Sequence, residues 1–202
     1  HIPAGQSSSE SGYTSGGRAI PSAVAATIDK FSFAADGNAT DVGDLTVSRR
    51  GLTGQSSLTN GYASGGTSLN TIDKFSFAAD GNATDVGDLT QAREGSAGQS
   101  SETHGYTSGG DGYPPNDLRK VNTIDKFPFA ADGNATDVGD ITVARPGGAG
   151  QSSTTSGYTS GGSDPAGSGR NTIDKFPFAS DANATDVGDL TQARMRAAGQ
   201  QV

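Results

Sequence analysis

The chain holds 202 residues, 31% of them hydrophobic, with 31 glycines, no cysteine and a formal net charge of −8. The missing cysteines exclude a disulfide frame and a thiolate metal site, and the lack of a basic stripe argues against a general phosphate-backbone binder, so no nucleic-acid partner is expected. No run is long and apolar enough to cross a bilayer as a helix, and no signal-peptide pattern is present, so no membrane insertion is expected.

An apolar share this low leans toward disorder when taken alone. The placement of the apolar residues argues otherwise. Thr-Ile-Asp-Lys-Phe begins at Thr27, Thr71, Thr123 and Thr172, in steps of 44, 52 and 49 residues. Recurrence at this period marks a repeat architecture. The chain reads as one array over 1–202, with units at about 3–49, 50–93, 94–145 and 146–194, and with 195–202 starting a further one. It opens on His1, as expected of a chain that was processed, cut from a longer protein or lacks its true start.

Each unit offers four short extended segments. The first is Ala-Gly-Gln-Ser-Ser, as at Ala4–Ser8 and Ala149–Ser153, whose small residues require neighbours to approach closely. The second carries Tyr13, Tyr62, Tyr106 or Tyr158 and ends in Ser-Gly-Gly, where glycine permits positive φ. The third is Thr-Ile-Asp-Lys-Phe, rich in β-branched and aromatic residues. Strand alternation puts Thr172, Asp174, Phe176 and Phe178 on one face and Ile173 and Lys175 on the other, so both faces carry apolar groups. The fourth is Thr-Asp-Val-Gly-Asp-Leu. No window shows sustained helical periodicity. All eight phenylalanines lie in the third segments, so the aromatic surface is expected to serve packing inside each repeat.

Asp36-Gly-Asn38, Asp80-Gly-Asn82, Asp132-Gly-Asn134 and Asp181-Ala-Asn183 join the third and fourth segments and predict tight hairpins. The connection between the second and third segments varies most. It spans Arg18–Ala26, Thr67–Asn70, Asp111–Asn122 and Ser163–Asn171 in the four units. Insertions gathered at one point of a repeat project from one face of the assembly.

A unit of nearly fifty residues, with four strands, a Gly-Gly pair ending the second and an aromatic in the third, resembles a kelch blade. Gly161-Gly162, Phe176, Leu190 and Arg194 follow the kelch order across almost the whole chain. The tryptophan typical of the fourth strand is absent, with Asp186-Val187 in that region, which lightens the core. The near-identical wording of the units also resembles kelch-like repeat proteins of marine phages and environmental bacteria. The resemblance implies an all-β chain forming a β-propeller of four kelch-like four-stranded blades. It further implies a non-enzymatic structural or adhesive module on a virion or outside a cell, in a tail fibre or surface filament, with itself or other structural subunits as partners.

The candidate sites are read against that background. Asp36–Asp41 puts oxygen side chains at alternate positions but lacks the distal bidentate Glu of a calcium loop, so Asp and Asn are expected to bond their own backbone. The sequons at Asn38, Asn82, Asn134 and Asn183 follow from the same turn chemistry. Asp29, Asp73, Asp125 and Asp174 recur in every unit, as do Arg49, Arg93, Arg145 and Arg194. Recurrence favours structural pairing, the arginines with acidic groups between units, over catalysis. His104 has no copy elsewhere, and no serine sits in a nucleophile elbow. No catalytic residue, metal ligand or cofactor site is assigned. The candidate partner-binding loop is Asp111–Asn122, with Tyr113, Asn116 and Arg119, because loops on a rigid scaffold carry recognition. If the chain is instead a carbohydrate-binding propeller, these residues would hold cell-surface glycans. Finally, Ala197-Ala-Gly-Gln-Gln-Val202 begins a fifth copy of the first segment for only four complete units. It would belong to a longer chain, displace Ala4–Ser8 and close the ring like a clasp, or pair with a neighbouring molecule, and a neighbour or a continued chain is favoured over a closed monomer.

Overall fold

The computed structural model describes residues 3–20, 23–113 and 120–199, and among them it contains strands and no helix. The first unit supplies β1 (Ala4–Ser7), β2 (Ser11–Ser15), β3 (Thr27–Ser32) and β4 (Thr40–Asp44). The second supplies β5 (Thr53–Ser56), β6 (Asn60–Ser64), β7 (Thr71–Ser76) and β8 (Thr84–Asp88). After β9 (Arg93–Glu94), the third unit holds β10 (Ala97–Ser100), β11 (His104–Ser108), β12 (Asp111–Gly112), β13 (Thr123–Pro128) and β14 (Thr136–Asp140). The fourth holds β15 (Ala149–Ser152), β16 (Ser156–Ser160), β17 (Arg170–Pro177) and β18 (Thr185–Arg194).

Each unit folds into one antiparallel four-stranded sheet whose strands neighbour each other in chain order. The register repeats: Gln6 lies opposite Tyr13 and Tyr13 opposite Lys30, as Gln55 lies opposite Tyr62 and Tyr62 opposite Lys74. A shift in register between Ile28 and Asp29, repeated between Ile72 and Asp73, bends the third strand against the fourth. The Gly-Gly pairs take the positive φ expected, at 62° and 99° for Gly16 and Gly17.

The tight hairpin expected at Asp-Gly-Asn does not form. Residues 33–39 separate β3 from β4, too long a connection for a two-residue turn. In the later units the residues of this loop turn to the neighbouring sheet. The Asn82 Oδ1 accepts from the Asp44 N–H at 3.0 Å, the Ala83 N–H donates to the Asp44 carbonyl at 2.8 Å, and Asp80 receives the Lys30 ammonium at 3.0 Å. The loops of the second, third and fourth units are thereby tied to the fourth strand of the unit before, but residues 33–39 of the first unit, with no unit before them, form a connection as long as 77–83 of the second. In these units Asp and Asn bond the neighbour instead of their own backbone as expected, although Asp41 does accept from the Gly43 N–H.

The sheets stand in sequence, with β1 beside β5, β5 beside β10 and β10 beside β15. Their closeness depends on glycine. A Cβ on Gly54 would lie 2.1 Å from the Gly5 carbonyl oxygen, one on Gly98 2.3 Å from that of Gly54, and one on Gly150 2.0 Å from that of Gly98. No comparable contact joins the first sheet to the fourth among the described residues.

Apolar burial is built the same way. One cluster joins Tyr62, Ile72 and Leu89 of the second unit to Phe127 and Ala135 of the third, and another joins Tyr106, Ile124 and Ile141 to Phe176 and Ala184. The aromatic packing runs inside the repeats, where Phe75 meets Phe77 and Phe127 meets Phe129, as the sequence suggested, and also between them, as it did not. Tyr62 lies 4.8 Å from Phe129 in a stacked pair and 5.5 Å from Phe127 in a tilted one. Tyr13 meets Phe75 and Phe77, and Tyr106 meets Phe176 and Phe178, in the same geometry. Phe31 and Phe33, with no preceding tyrosine, stay 41% and 56% exposed.

Candidate functional site

Two places gather polar groups. The first is the seam between successive sheets. Arg49, Arg93 and Arg145 close one unit and reach Asp73, Asp125 and Asp174 of the next at 3.2, 2.6 and 3.0 Å, with both partners of each pair fully buried. Each carboxylate also accepts two hydrogen bonds from the same threonine: Thr90 donates its N–H at 2.9 Å and its hydroxyl at 2.7 Å to Asp125, and Thr46 and Thr142 repeat this on Asp73 and Asp174. The second nitrogen of each guanidinium finds a carbonyl, as Arg49 does on Ala63 at 2.9 Å. Burial pushes the three guanidiniums below their usual value, and the facing aspartate pulls each back up. A charge taken this far from water persists only when paired and hydrogen-bonded.

Nearer the inner strands, glutamine does similar work. The Gln55 amide donates to Ser64 in its own sheet and to the Tyr106 carbonyl and Thr107 hydroxyl of the next, and Gln99 repeats this with Ser108, Tyr158 and Thr159. At the surface, Lys30, Lys74 and Lys126 pair with Asp80, Asp132 and Asp181 of the following unit. The expected pairing of the recurrent arginines between units is therefore present three times. Of the aspartates beside the lysines, Asp73, Asp125 and Asp174 serve this structural role, with arginine as their partner. The turn asparagines Asn82, Asn134 and Asn183 are likewise engaged, each accepting from the preceding unit.

The second place is a cavity of about 1120 Å³. Its walls are chiefly Gly, Ala and Ser of the inner strands, joined by Tyr13, Phe31 and Phe33 of the first unit, and its charged lining is Glu94, Asp111, Lys120 and Arg196. A relay of backbone bonds frames it: the Gly95 N–H donates to Gly51, Gly147 to Gly95 and Arg196 to Gly147. The candidate loop rises beside these charges. β12 pairs with β9, setting Asp111 opposite Glu94, and Lys120 Nζ reaches Asp111 at 3.3 Å. The Tyr113 N–H donates to the Ala92 carbonyl at 3.0 Å. Burial, and secondly the hydrogen-bonded Glu94 carboxylate, push the Tyr113 phenol up to about 12, so it stays a protonated donor at neutral pH. Asn116 and Arg119, expected beside it, lie outside the described residues.

Glu94 was not singled out from the sequence, yet a signal existed. The residue after each closing arginine is Arg50, Glu94, Pro146 or Met195, so this position breaks the repeat symmetry. Glu94 also accepts from the Thr67 hydroxyl at 3.0 Å, tying the second unit's loop to the third unit's. Among the described residues no three His, Asp or Glu side chains stand close enough to hold a metal ion. The arrangement can bind a polar ligand through hydroxyl, carboxylate and ammonium groups at the cavity rim.

No protein-family model matches the sequence, and no curated protein is similar to it. Among solved structures, that of YjhT, a kelch-like β-propeller protein, superposes with a TM-score of 0.75 at 12% identity. The match covers 96% of this chain, which spans 66% of that one. A likeness at this identity concerns the fold: several antiparallel four-stranded sheets in a propeller-like arrangement.

Proposed function

We propose that the chain is a non-enzymatic structural or adhesive repeat module, its four sheets serving as kelch-like propeller blades, of the kind used in a phage tail fibre or surface filament outside a cell. One observation carries this reading. The chemistry-bearing residues that recur in every unit, Asp, Arg, Lys, Gln and Asn, are consumed in holding one unit to the next. A chain that invests its repeated polar groups in seams is organised for rigidity and extension, and its partners are copies of itself or other structural subunits.

A second reading is a carbohydrate-binding module, and a specific feature favours it. Glu94, Asp111 and Lys120 line a cavity and Tyr113 stands hydrogen-bonded to Glu94, so that a sugar would find non-repeated donors and acceptors together. A glycan array separates the two. The structural reading expects no saturable binding, and saturable binding that Tyr113→Phe weakens would replace it with the lectin reading.

A further inference from the structure

Each seam has two sides, and each side recurs on an end of the array without its counterpart. The side contributed by the later unit is Phe75, Phe77, Asp73, Asp80, Asn82 and Ala83 in the first seam. The first unit carries the same set as Phe31, Phe33, Asp29, Asp36, Asn38 and Ala39. Phe75 is 4% exposed where Phe31 is 41%, and Ala83, Ala135 and Ala184 are buried where Ala39 is exposed. Among the described residues Asp29 has no arginine partner and Asp36 no lysine.

The side contributed by the earlier unit is left over at the other end. Among the described residues Tyr158 has no phenylalanine pair stacked on it and Lys175 has no aspartate, and Arg194 is exposed where Arg49, Arg93 and Arg145 are buried. Val187 is 51% exposed, whereas Val42, Val86 and Val138 pack against the next unit's cluster. Apolar meets apolar and cation meets anion between these two ends, in a pattern already realised three times within the chain.

We infer that the first unit's outer face, around Phe31, Phe33 and Asp29, docks on the fourth unit's outer face, around Tyr158, Val187 and Arg194, of a second copy of this chain. This rests on the reading of the chain as a structural module and names its partner. The contact is heterologous, so it closes a ring or extends as a filament according to the rotation and rise per copy. Each docking would reproduce a seam: Phe33 stacked on Tyr158, Asp29 paired with Arg194, Asp36 with Lys175, and Ala39 against Val187.

Ala197–Gly199 already sits where the partner's β1 would come. A Cβ on Gly199 would lie 1.9 Å from the Gly150 carbonyl oxygen, the approach Gly150 itself makes to Gly98. Among the described residues this segment pairs with no second strand, whereas the partner's β1 arrives already paired to its β2. The segment is therefore a weak competitor that docking displaces.

The test uses Phe33→Glu and Val187→Glu, both at exposed positions, so that each variant folds as the parent does by circular dichroism. By sedimentation, the parent mass should rise above 20.2 kDa with concentration, and each variant alone should remain at 20.2 kDa. Their equimolar mixture should form a species of two chains and stop there, because one variant keeps a sound fourth-unit face and the other a sound first-unit face. Deleting residues 197–202 should lower the concentration at which the parent associates. A parent that stays at 20.2 kDa at every concentration, a mixture that stays monomeric, or a deletion that abolishes association would each overturn the inference. A monomer that also binds no glycan would remove the docking and leave the structural reading in place.

Discussion

The first unit and the third are nearly the same words in different surroundings. Phe127 and Phe31 occupy the same place in the repeat, yet Phe127 is 2% exposed and Phe31 41%. Asp125 is buried against Arg93 and two Thr90 donors, while Asp29 meets no arginine among the described residues. The difference is supplied entirely by the unit that precedes. The first sheet buries Ile28 of its third strand with no unit before it, whereas the Phe and Asp positions of that strand are buried only where a preceding unit covers them. Stability in such a chain is a sum of unit and seam contributions, and with so few large apolar residues per unit the seams dominate.

The comparison breaks first at the aromatics. Phe127→Ala removes a buried ring from a cluster with Tyr62 and Leu89 and should cost about 3–5 kcal/mol. Phe31→Ala, at the same repeat position, should cost well under half as much, read as the shift in urea midpoint for each. Equal losses would mean that the ring stabilises its own sheet and not the seam.

The ion pair gives the next contrast. Asp125→Ala leaves the Arg93 guanidinium buried without its partner and should cost about 3–5 kcal/mol. Asp29→Ala should fall within about 0.5 kcal/mol of the parent, as surface changes do. Surface pairs sharpen the picture from below. Lys74 and Asp132 are partly exposed, and Lys74→Ala should cost only about 0.2–1 kcal/mol, shrinking with added salt.

The smallest effect concerns pH. Burial, then Lys126, depress His104 below its ordinary value of 6.5. The unfolded chain therefore takes up this proton first as the pH falls. The stability linked to His104 is fully present above about 6.5 and is lost below it, down to the depressed folded value. Melting temperatures of the parent and His104→Gln should converge as the pH falls through that window, and a constant gap would contradict the assignment.

Much of this was legible in the sequence, for physical reasons. Alternation in Thr-Ile-Asp-Lys-Phe, the Ser-Gly-Gly turns and the small residues of the first segment are local signals, and each produced the strand or close approach expected. The arginines could be assigned to seams because a charge that recurs in every unit is structural. Asp-Gly-Asn misled because turn chemistry describes a chain bonding to itself, whereas Asp80 and Asn82 bond to the unit before. The aromatics misled similarly: their share in each repeat was clear, but not that Tyr62 would spend its ring on Phe127 and Phe129 of the following repeat. At the candidate loop, Tyr113 stands beside Glu94. Glu94 was overlooked because a single acidic residue in an acidic chain stands out only when the repeats are aligned.

The central claim is that seams between units hold this fold. A double-mutant cycle on Arg93 and Asp125, set beside one on Asp29 and Arg194 in the monomer, tests it most directly. Seam-dominated stability predicts a coupling of about 1–3 kcal/mol for the first pair and none for the second, whose members have the same repeat positions but stand at opposite ends of the array. Additive losses at Arg93 and Asp125 would contradict it.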